Sequence, residues 1–557
     1  MRSGFRGAAF AWSVFGSLWF SLSGLTAAEL DEGAISSELL KLADSESDVR
    51  IAAVRSLAVS KDGRVAGVLE AFRLGTLHLW QQQLVTAKAV ASDSGSFALR
   101  NALTGEPLRQ DGAPVIVSKK SLVTLSATRK ERLEVVNAVR VLQLYSPNQL
   151  LRLAAVRKLG NLRKPKYIDE LEGVLKVDQD PQVLHRTRES LALIRFADTS
   201  SKMQMRRAAA AELGEMSSAR AATAIEELLK DDSGAVDEQT RQVCQAALES
   251  INTYQQRVRI LGYIFSGLSL GSVLILMALG LSIVFGQMGV INMAHGELMM
   301  IGAYATYEVQ LAFGHSLPDN PANAFFLVAL PVSFLAAASV GWLIERFIVR
   351  HLYGRPLETL LATWGVGLTL IQVVRIRYGD NIGVNSPTWL VGGIEVIQDF
   401  HVPYNRLFIL GVTAACVAFV YWLLNWTKRG LLLRATVQNR EMAAALGVNT
   451  RYEDGFTFAF GAGLAGIAGC ALTLIGGVTP DMGQNYIVDS FLVVVTGGVG
   501  DIAGAVCAGL GLGILTKVLE PVFSTIWAKV LILTAVIVFI QYRPAGLFPP
   551  RGRQADA

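Results

Sequence analysis

The chain has 557 residues, 52% of them apolar and 17% charged, with a mean hydropathy of +0.39. A soluble domain carries about a quarter charged residues, so a wholly soluble protein is excluded, as is a disordered chain. The net charge of +5 is mild, and no basic cluster interleaved with aromatics marks a nucleic-acid partner.

The first residues read as a targeting segment. Arg2 and Arg6 precede the apolar stretch Ala8 to Leu25, and Thr26-Ala27-Ala28 offers small residues before Glu29. That pattern predicts a signal peptide over residues 1–28, with an uncleaved anchor as the alternative. Either version exports residues 29–258, in a bacterium to the periplasm.

Residues 29–258 carry frequent charges and no run of membrane length. Three stretches repeat one pattern: Val49 to Leu57, Leu151 to Gly160 and Met205 to Gly214. Each places paired alanines and a later Leu on one helical face. Second helices follow at Ile225–Lys230 and Thr240–Ile251. The pattern resembles HEAT-like repeats, in which helix pairs stack into a solenoid. It breaks near residues 79–125, where Leu77–Leu79, Val115–Val117 and Leu122–Leu125 predict strands of a small insert. Cys244 has no partner within this half, and none of the four cysteines has zinc-type spacing. All four are expected to be small buried hydrophobes.

From Arg259 the character changes. A helix needs about 20 apolar residues to cross a bilayer. Leu407 to Trp426 and Phe456 to Val478 meet this without a charge. Further candidates are Ile260–Phe285, Ala324–Val349, Glu358–Val374, Ile487–Leu515 and Phe523–Ile540. Ile291–Tyr307 is shorter and polar, and reads as a broken or re-entrant helix. The expected fold is therefore all-α: a polytopic membrane bundle over residues 259–550, with about eight segments, an exported helical domain before it and a tail at 551–557.

Loop charges orient the bundle. Lys428, Arg429, Arg434, Arg440 and Arg451 face one acid, Glu441, between Thr427 and Tyr452. Such an excess marks a cytoplasmic loop, as do Arg350, His351 and Arg355. Eight crossings leave Arg543, Arg551 and Arg553 outside, so one late segment, Asp489–Gly500, is read as re-entrant.

Enzyme machinery is missing from the sequence. There is no Gly-x4-Gly-Lys-Ser/Thr and no His-Glu-x-x-His, and no cofactor or metal is expected. Gly267–Gly271, Gly500–Gly504 and Gly509–Gly513 have the spacing of closely packed helices. Two glycine-interrupted regions, Gly280–Tyr304 and Gly476–Gly513, suit transport, where substrate sites form at broken helices. An ionised Glu at membrane depth is costly, so Asn292, His295 and Glu297 are expected to face protein or a cavity. They line the pathway, or they cap a broken helix. Asp489 and Asp501, flanking Thr496 to Gly500, carry the same two readings. Gln287, Thr363 and Gln372 complete the candidate pathway set.

The loop Thr427–Tyr452 holds a short amphipathic helix from Glu441 that ends at Gly447, a residue suited to a helix stop. It resembles the coupling motif of ABC importer permeases, which docks into a groove of the ATPase. Its candidate contact residues are Arg434, Gln438, Asn439, Glu441, Ala443, Ala444 and Gly447.

The segment Gly280 to Gly286 followed by Ile291-Asn292-Met293-Ala294-His295-Gly296-Glu297 resembles the LivH-type branched-chain amino-acid permease family. The ending Arg543-Pro544-Ala545-Gly546-Leu547-Phe548 is similar to that family's close. The likeness spans residues 263–550. Thr363 to Gly367, Asn381 to Val384 and Pro387 to Leu390 resemble its urea-transporting branch (UrtB type), as does the long exported domain. The resemblance implies a second homologous permease subunit, cytoplasmic ATPase subunits and a periplasmic substrate-binding protein as partners. It implies the bacterial inner membrane as location and urea as the substrate. Branched-chain amino acids or short amides are the same-class alternative. An ATP-independent channel or a membrane sensor is the alternative of another class.

Overall fold

The computed structural model describes residues 32–89, 96–110, 113–118, 121–199, 202–230, 237–316 and 324–548. The segments expected as signal peptide and tail lie outside the described residues. The chain divides into two compact units, Met1–Gln255 and Gln256–Ala557.

In the first unit, helices α1 (Glu32–Leu40), α2 (Ser47–Val59) and α3 (Val65–Leu74) lead into strands β1 (Leu77–Trp80), β2 (Gln83–Ala89), β3 (Ser96–Asn101), β4 (Arg109–Gln110), β5 (Ala113–Pro114), β6 (Ile116–Ser118) and β7 (Val123–Leu125). Helices α4 (Arg129–Leu142), α5 (Gln149–Leu162), α6 (Ile168–Val177), α7 (Pro181–Ala197), α8 (Met203–Glu215) and α9 (Ala222–Lys230) follow. The three repeated stretches become α2, α5 and α8. Each buries the same positions: Ala53, Val54 and Leu57; Ala155, Val156 and Leu159; Ala209, Ala210 and Leu213. Burial of that stripe follows from its 3.6-residue period. Gly160 lets α7 approach at Ser190, and Gly214 lets the helix holding Ala247 approach: a Cβ on Gly214 would stand 2.8 Å from the Ala247 backbone.

An all-α fold is too narrow a description. The insert is a five-stranded antiparallel sheet ordered β6-β3-β2-β1-β7. Its inner strands β2 and β3 were not anticipated. Strand pairing is set by partners far along the chain, and their short, mixed sequences give little period of their own. A further hairpin, β8 (Gly393–Ile397) with β9 (Phe400–Pro403), stands in the second unit.

Two buried carboxylates anchor the helices of the first unit. Glu131 closes a capping box with Thr128 at the start of α4 and accepts from Ser47 and Arg50 of α2. Glu189 of α7 accepts from Ser218 and pairs with Arg220 at 3.1 Å and Arg186 at 3.2 Å. Burial pushes the Glu189 carboxyl upward, but Ser218, Arg220 and Arg186 together hold it below its ordinary value. A depressed folded value contributes stability that is present above pH 4.5 and lost as pH falls through the folded value. We expect melts of residues 32–255, followed by circular dichroism, to lose stability progressively below about pH 4.5. Glu189→Gln should lower the neutral-pH melting temperature and flatten that acid limb. An unchanged acid limb would remove Glu189 from the account.

The second unit takes most of its residues from α10 (Glu238–Met288), α11 (His295–Ser316), α12 (Phe325–Phe347), α13 (Pro356–Tyr378), α14 (Tyr404–Trp426), α15 (Lys428–Gln438), α16 (Arg440–Ala445), α17 (Thr450–Leu472), α18 (Met482–Gly497) and α19 (Ile502–Tyr542). Among the described residues six helices are long and apolar enough to cross a membrane: α10, α12, α13, α14, α17 and α19. The expected eight segments map unevenly onto them. Ile291–Tyr307 is not itself a broken helix. Its break precedes α11, at Gly289 with φ +63°, and α11 then runs uninterrupted. Ile487–Leu515 is two helices, because Gly498 and Gly500 take φ +107° and +83°. Asp501 restarts the chain by accepting the Gly504 N–H at 2.8 Å. Asp489–Gly500 is therefore the second half of α18 and its stop. Phe523–Ile540 is the later part of α19, which kinks at a non-helical Ser524 (φ 61°, ψ 163°) after Pro521.

Helices α10 and α17 are buried over most of their apolar length, whereas α12, α13, α14 and α19 leave most of theirs unburied. Small residues make the central contacts. A Cβ on Gly271 would meet the Gly509 carbonyl at 2.8 Å, and one on Gly461 would meet the Gly280 carbonyl at 2.7 Å. Close backbone approach of this kind drives helix association where lipid supplies no hydrophobic force. The four cysteines carry free thiols. Cys244 and Cys470 are buried as expected, Cys416 is half-buried, and Cys507 is exposed on α19.

Candidate functional site

Asn292, His295 and Glu297 lie where the chain leaves α10 and starts α11. The turn is held from inside: Asn292 Oδ1 accepts the Ala294 N–H at 3.0 Å, and Met293 N–H donates to Thr363 Oγ1 of α13 at 3.1 Å. His295 Nε2 stands 3.2 Å from the Met277 carbonyl of α10. A carbonyl only accepts, so Nε2 carries the proton and Nδ1 of the neutral ring presents a lone pair. The Glu297 carboxyl lies beside Gly367 of α13, where a Cβ would stand 3.1 Å from its Cδ. Asn292, His295, Glu297 and Thr363 are all 4% exposed or less. Among the described residues, Asn292 Nδ2, His295 Nδ1 and Glu297 Oε2 have no hydrogen-bond partner.

The N-terminus of α18 reaches the same place. Gly296 and Gly483 touch through their backbones, and a Cβ on Gly483 would lie 2.8 Å from the Glu297 nitrogen. Two helix N-termini thus converge on one buried polar group. Each carries partial positive charge and backbone N–H groups free of intrahelical partners.

Thr363 lies against the turn at Met293, and Gly367 of the same helix against Glu297, whereas His295 turns to α10. The structure does not bring Gln287 or Gln372 to them. Gln287 accepts from Thr457 of α17 at 2.8 Å, and Gln372 is exposed on α13. Asp489 pairs with Lys529 at 3.4 Å, and Asp501 caps α19. Sequence reasoning missed Gly367 and Met277, since a glycine and a backbone carbonyl carry no signal until the neighbour they serve is known. It also missed Arg375, which binds Asp481 at 2.8 Å and Asp380 at 3.0 Å, next to the bridge between Ile382 and Val478.

The second candidate site is the hairpin α15–α16. Three side chains start its helices and the next: Thr427 accepts from Gly430, Asn439 from Met442, and Asn449 from Tyr452. Arg440 grips the buried carboxylate of Asp454 with both nitrogens, one at 3.1 Å, and its guanidinium lies 4.4 Å from the Tyr353 ring centre. Arg429 pairs with buried Glu453 at 2.7 Å and covers Tyr452. These two pairs fix the hairpin to α17. Gly447 turns the chain with φ +89°, and its N–H bonds the Ala444 carbonyl at 3.0 Å. Of the predicted contact residues, Ala443 faces inward, while Arg434, Gln438, Asn439, Glu441, Ala444 and Gly447 are exposed. Beside them Met442 is 57% and Leu446 79% exposed. The tip is therefore a small apolar knob that none of the described residues covers.

Residues 263–541 match the family described as Branched-chain amino acid transport system / permease component. The chain belongs to this permease family. Members are permease subunits of ABC transporters and not enzymes. LivH of Salmonella typhimurium, named as a high-affinity branched-chain amino acid transport permease protein, is 29% identical over 302 residues, covering 53% of this chain and 96% of its own. BraD of Pseudomonas aeruginosa is 29% identical, covering 51% and 93%. LivM of Escherichia coli is 25% identical, covering 50% and 69%. The permease match contains the whole Asn292–Glu297 cluster, Thr363, Gly367 and the α15–α16 hairpin. Residues 205–231 match a PBS lyase HEAT-like repeat, which includes most of α8 and α9. No solved structure matches the chain.

Proposed function

We propose that this permease is the membrane-spanning subunit of an ATP-driven bacterial importer for urea, seated in the inner membrane. The observation that carries the ATP coupling is the exposed knob of Met442, Ala444 and Leu446 on a hairpin pinned by Arg440 to Asp454. A channel has no use for such a knob, whereas a groove on an ATPase subunit would cover it. Cytoplasmic ATPase subunits, a second homologous permease and a periplasmic binding protein complete the assembly in this reading. Residues 29–258 are its exported domain, whose repeated helices modulate delivery.

The solute passes the buried group Asn292, His295, Glu297 and Thr363. Urea rests on the likeness of Thr363 to Gly367 and Asn381 to Leu390 to the urea-transporting branch. Its chemistry is compatible: urea is small and neutral and needs donors and acceptors rather than a counter-charge. A second reading, branched-chain amino acids, is favoured by the names of the relatives LivH and BraD. Uptake of radiolabelled urea and leucine in a deletion strain separates the two. Loss of urea uptake with leucine uptake intact is expected. The opposite pattern would transfer the assignment to branched-chain amino acids.

A further inference from the structure

The β8–β9 hairpin between α13 and α14 is amphipathic. Residues paired across antiparallel strands point to the same face. Ile394 pairs with Val402 and Ile397 with Phe400, while Glu395 pairs with His401. Val396 is the extra residue of a bulge between Glu395 and Ile397. Simple alternation would turn Ile397 to the side of Glu395, and the bulge returns it to the side of Ile394. One face is therefore Ile394, Ile397, Phe400 and Val402, and the other carries Glu395 and His401. On the apolar face β9 turns to its own bundle: Val402 is buried, and the Phe400 ring stands edge-on to Phe265 of α10 with 6.4 Å between centres. The β8 side of that face is different. Ile394 and Ile397 are exposed, as are the bulge residue Val396 and, at the base of the hairpin, Trp389, Val391 and Tyr404.

An exposed apolar patch rimmed by polar residues marks an interaction surface, and the surroundings of this one name the partner. The hairpin joins the end of α13 to the start of α14. Both helices are long and apolar enough to cross a membrane, with only 28% and 17% of their apolar windows buried. The hairpin is thus continuous on both sides with surface that meets lipid. It stands at the end of α14 opposite the α15–α16 hairpin, where the chain leaves the hydrocarbon for water. Trp and Tyr favour that level of a bilayer, and Trp389 and Tyr404 flank the hairpin there. We infer that the β8–β9 hairpin lies in the plane of the membrane interface, with Ile394 and Ile397 seated on the lipid acyl chains and Glu395 and His401 turned to water. An element with one apolar and one charged face takes this position because it buries the first without dehydrating the second. The loop charges make the leaflet the outer one. The inference rests on the membrane-spanning reading and not on the solute, so the outcome of urea and leucine uptake leaves it untouched.

The test uses the complete transporter in phosphatidylcholine vesicles. Cys416 and Cys507, the two cysteines that are not buried, are first replaced by alanine. Nitroxide labels are then attached through Ile394→Cys, Glu395→Cys or Ile397→Cys, one at a time. Oxygen concentrates in lipid and a nickel chelate stays in water, so their collisions with the label tell the two media apart. Labels at positions 394 and 397 should give an oxygen-to-nickel ratio severalfold above that at position 395. Equal ratios at all three would put both faces in one medium and overturn the inference. Labels at 394 and 397 closed to both reagents would show a protein partner covering the face, and that also overturns it. If a labelled variant does not reconstitute, Ile394→Trp in vesicles of lipid brominated along the upper acyl chain decides. Fluorescence quenching beyond that of the parent supports the inference, and quenching equal to the parent's overturns it.

Discussion

Replacing Ala444 by arginine is expected to release the ATPase subunits while leaving the membrane unit inserted and folded. Ala444 is exposed at the tip of α16 between Met442 and Leu446, so the arginine has open space among the described residues. In the proposed complex this face would fill a groove, where an added charge would lose its water and the side chain would have no room. Disrupting the centre of an interface commonly costs more than about 2 kcal/mol, or more than about tenfold in association. Co-purification and uptake should both be lost. Glu441→Lys should act less severely, since a charge at the rim stays hydrated. Wild-type association of Ala444→Arg would exclude this hairpin as the docking element.

Arg440→Met should cost the hairpin its attachment. Asp454 is 5% exposed, and Arg440 is the cation that holds it. Removing one partner of a fully buried pair costs about 3–5 kcal/mol, because a charge is left without compensation. The Arg440 side chain is 39% exposed, so solvent screening lowers the expected loss to about 2 kcal/mol. The contact of its guanidinium with Tyr353 is lost as well. The hairpin should then become sensitive to limited proteolysis at α15–α16, and ATP hydrolysis should no longer respond to solute. Asp454→Asn in the same chain should restore part of the stability by removing the stranded charge. If proteolysis and coupling both match the wild type, the pair is an ornament of the surface rather than the fastening of the hairpin.

The sequence by itself determined the features that depend on neighbours along the chain. Apolar runs of membrane length marked α10, α12, α14 and α17, since length and hydropathy are local properties. The repeated Ala-Ala and Leu spacing marked α2, α5 and α8 and the stripe each buries. The end of α16 was legible because Gly447 adopts a backbone angle that other residues resist. The excess of polar groups before α11 also showed, since Asn, His and Glu stand out against an apolar background.

Tertiary structure decided which of those polar groups belong together. A helical period tells which residues share a face but not which helix lies opposite. Thr363 joined the cluster because α13 packs beside the turn at Met293, 70 positions away. Gln287, only five residues before Asn292, left it because Thr457 of α17 supplies its partner. The inner strands β2 and β3 escaped notice for the same reason, their pairing being a contact between distant segments. Gly367 gained its meaning only from the Glu297 carboxylate beside it. The break near Ser524 was legible in part, since Lys517, Glu520 and Pro521 separate two apolar runs, but the non-helical angle at Ser524 itself is a property of the backbone path. Burial, finally, sorted Ala443 from Ala444. The two are adjacent and chemically identical, and the packing of α16 on its own chain turns one inward and leaves the other free to meet a partner.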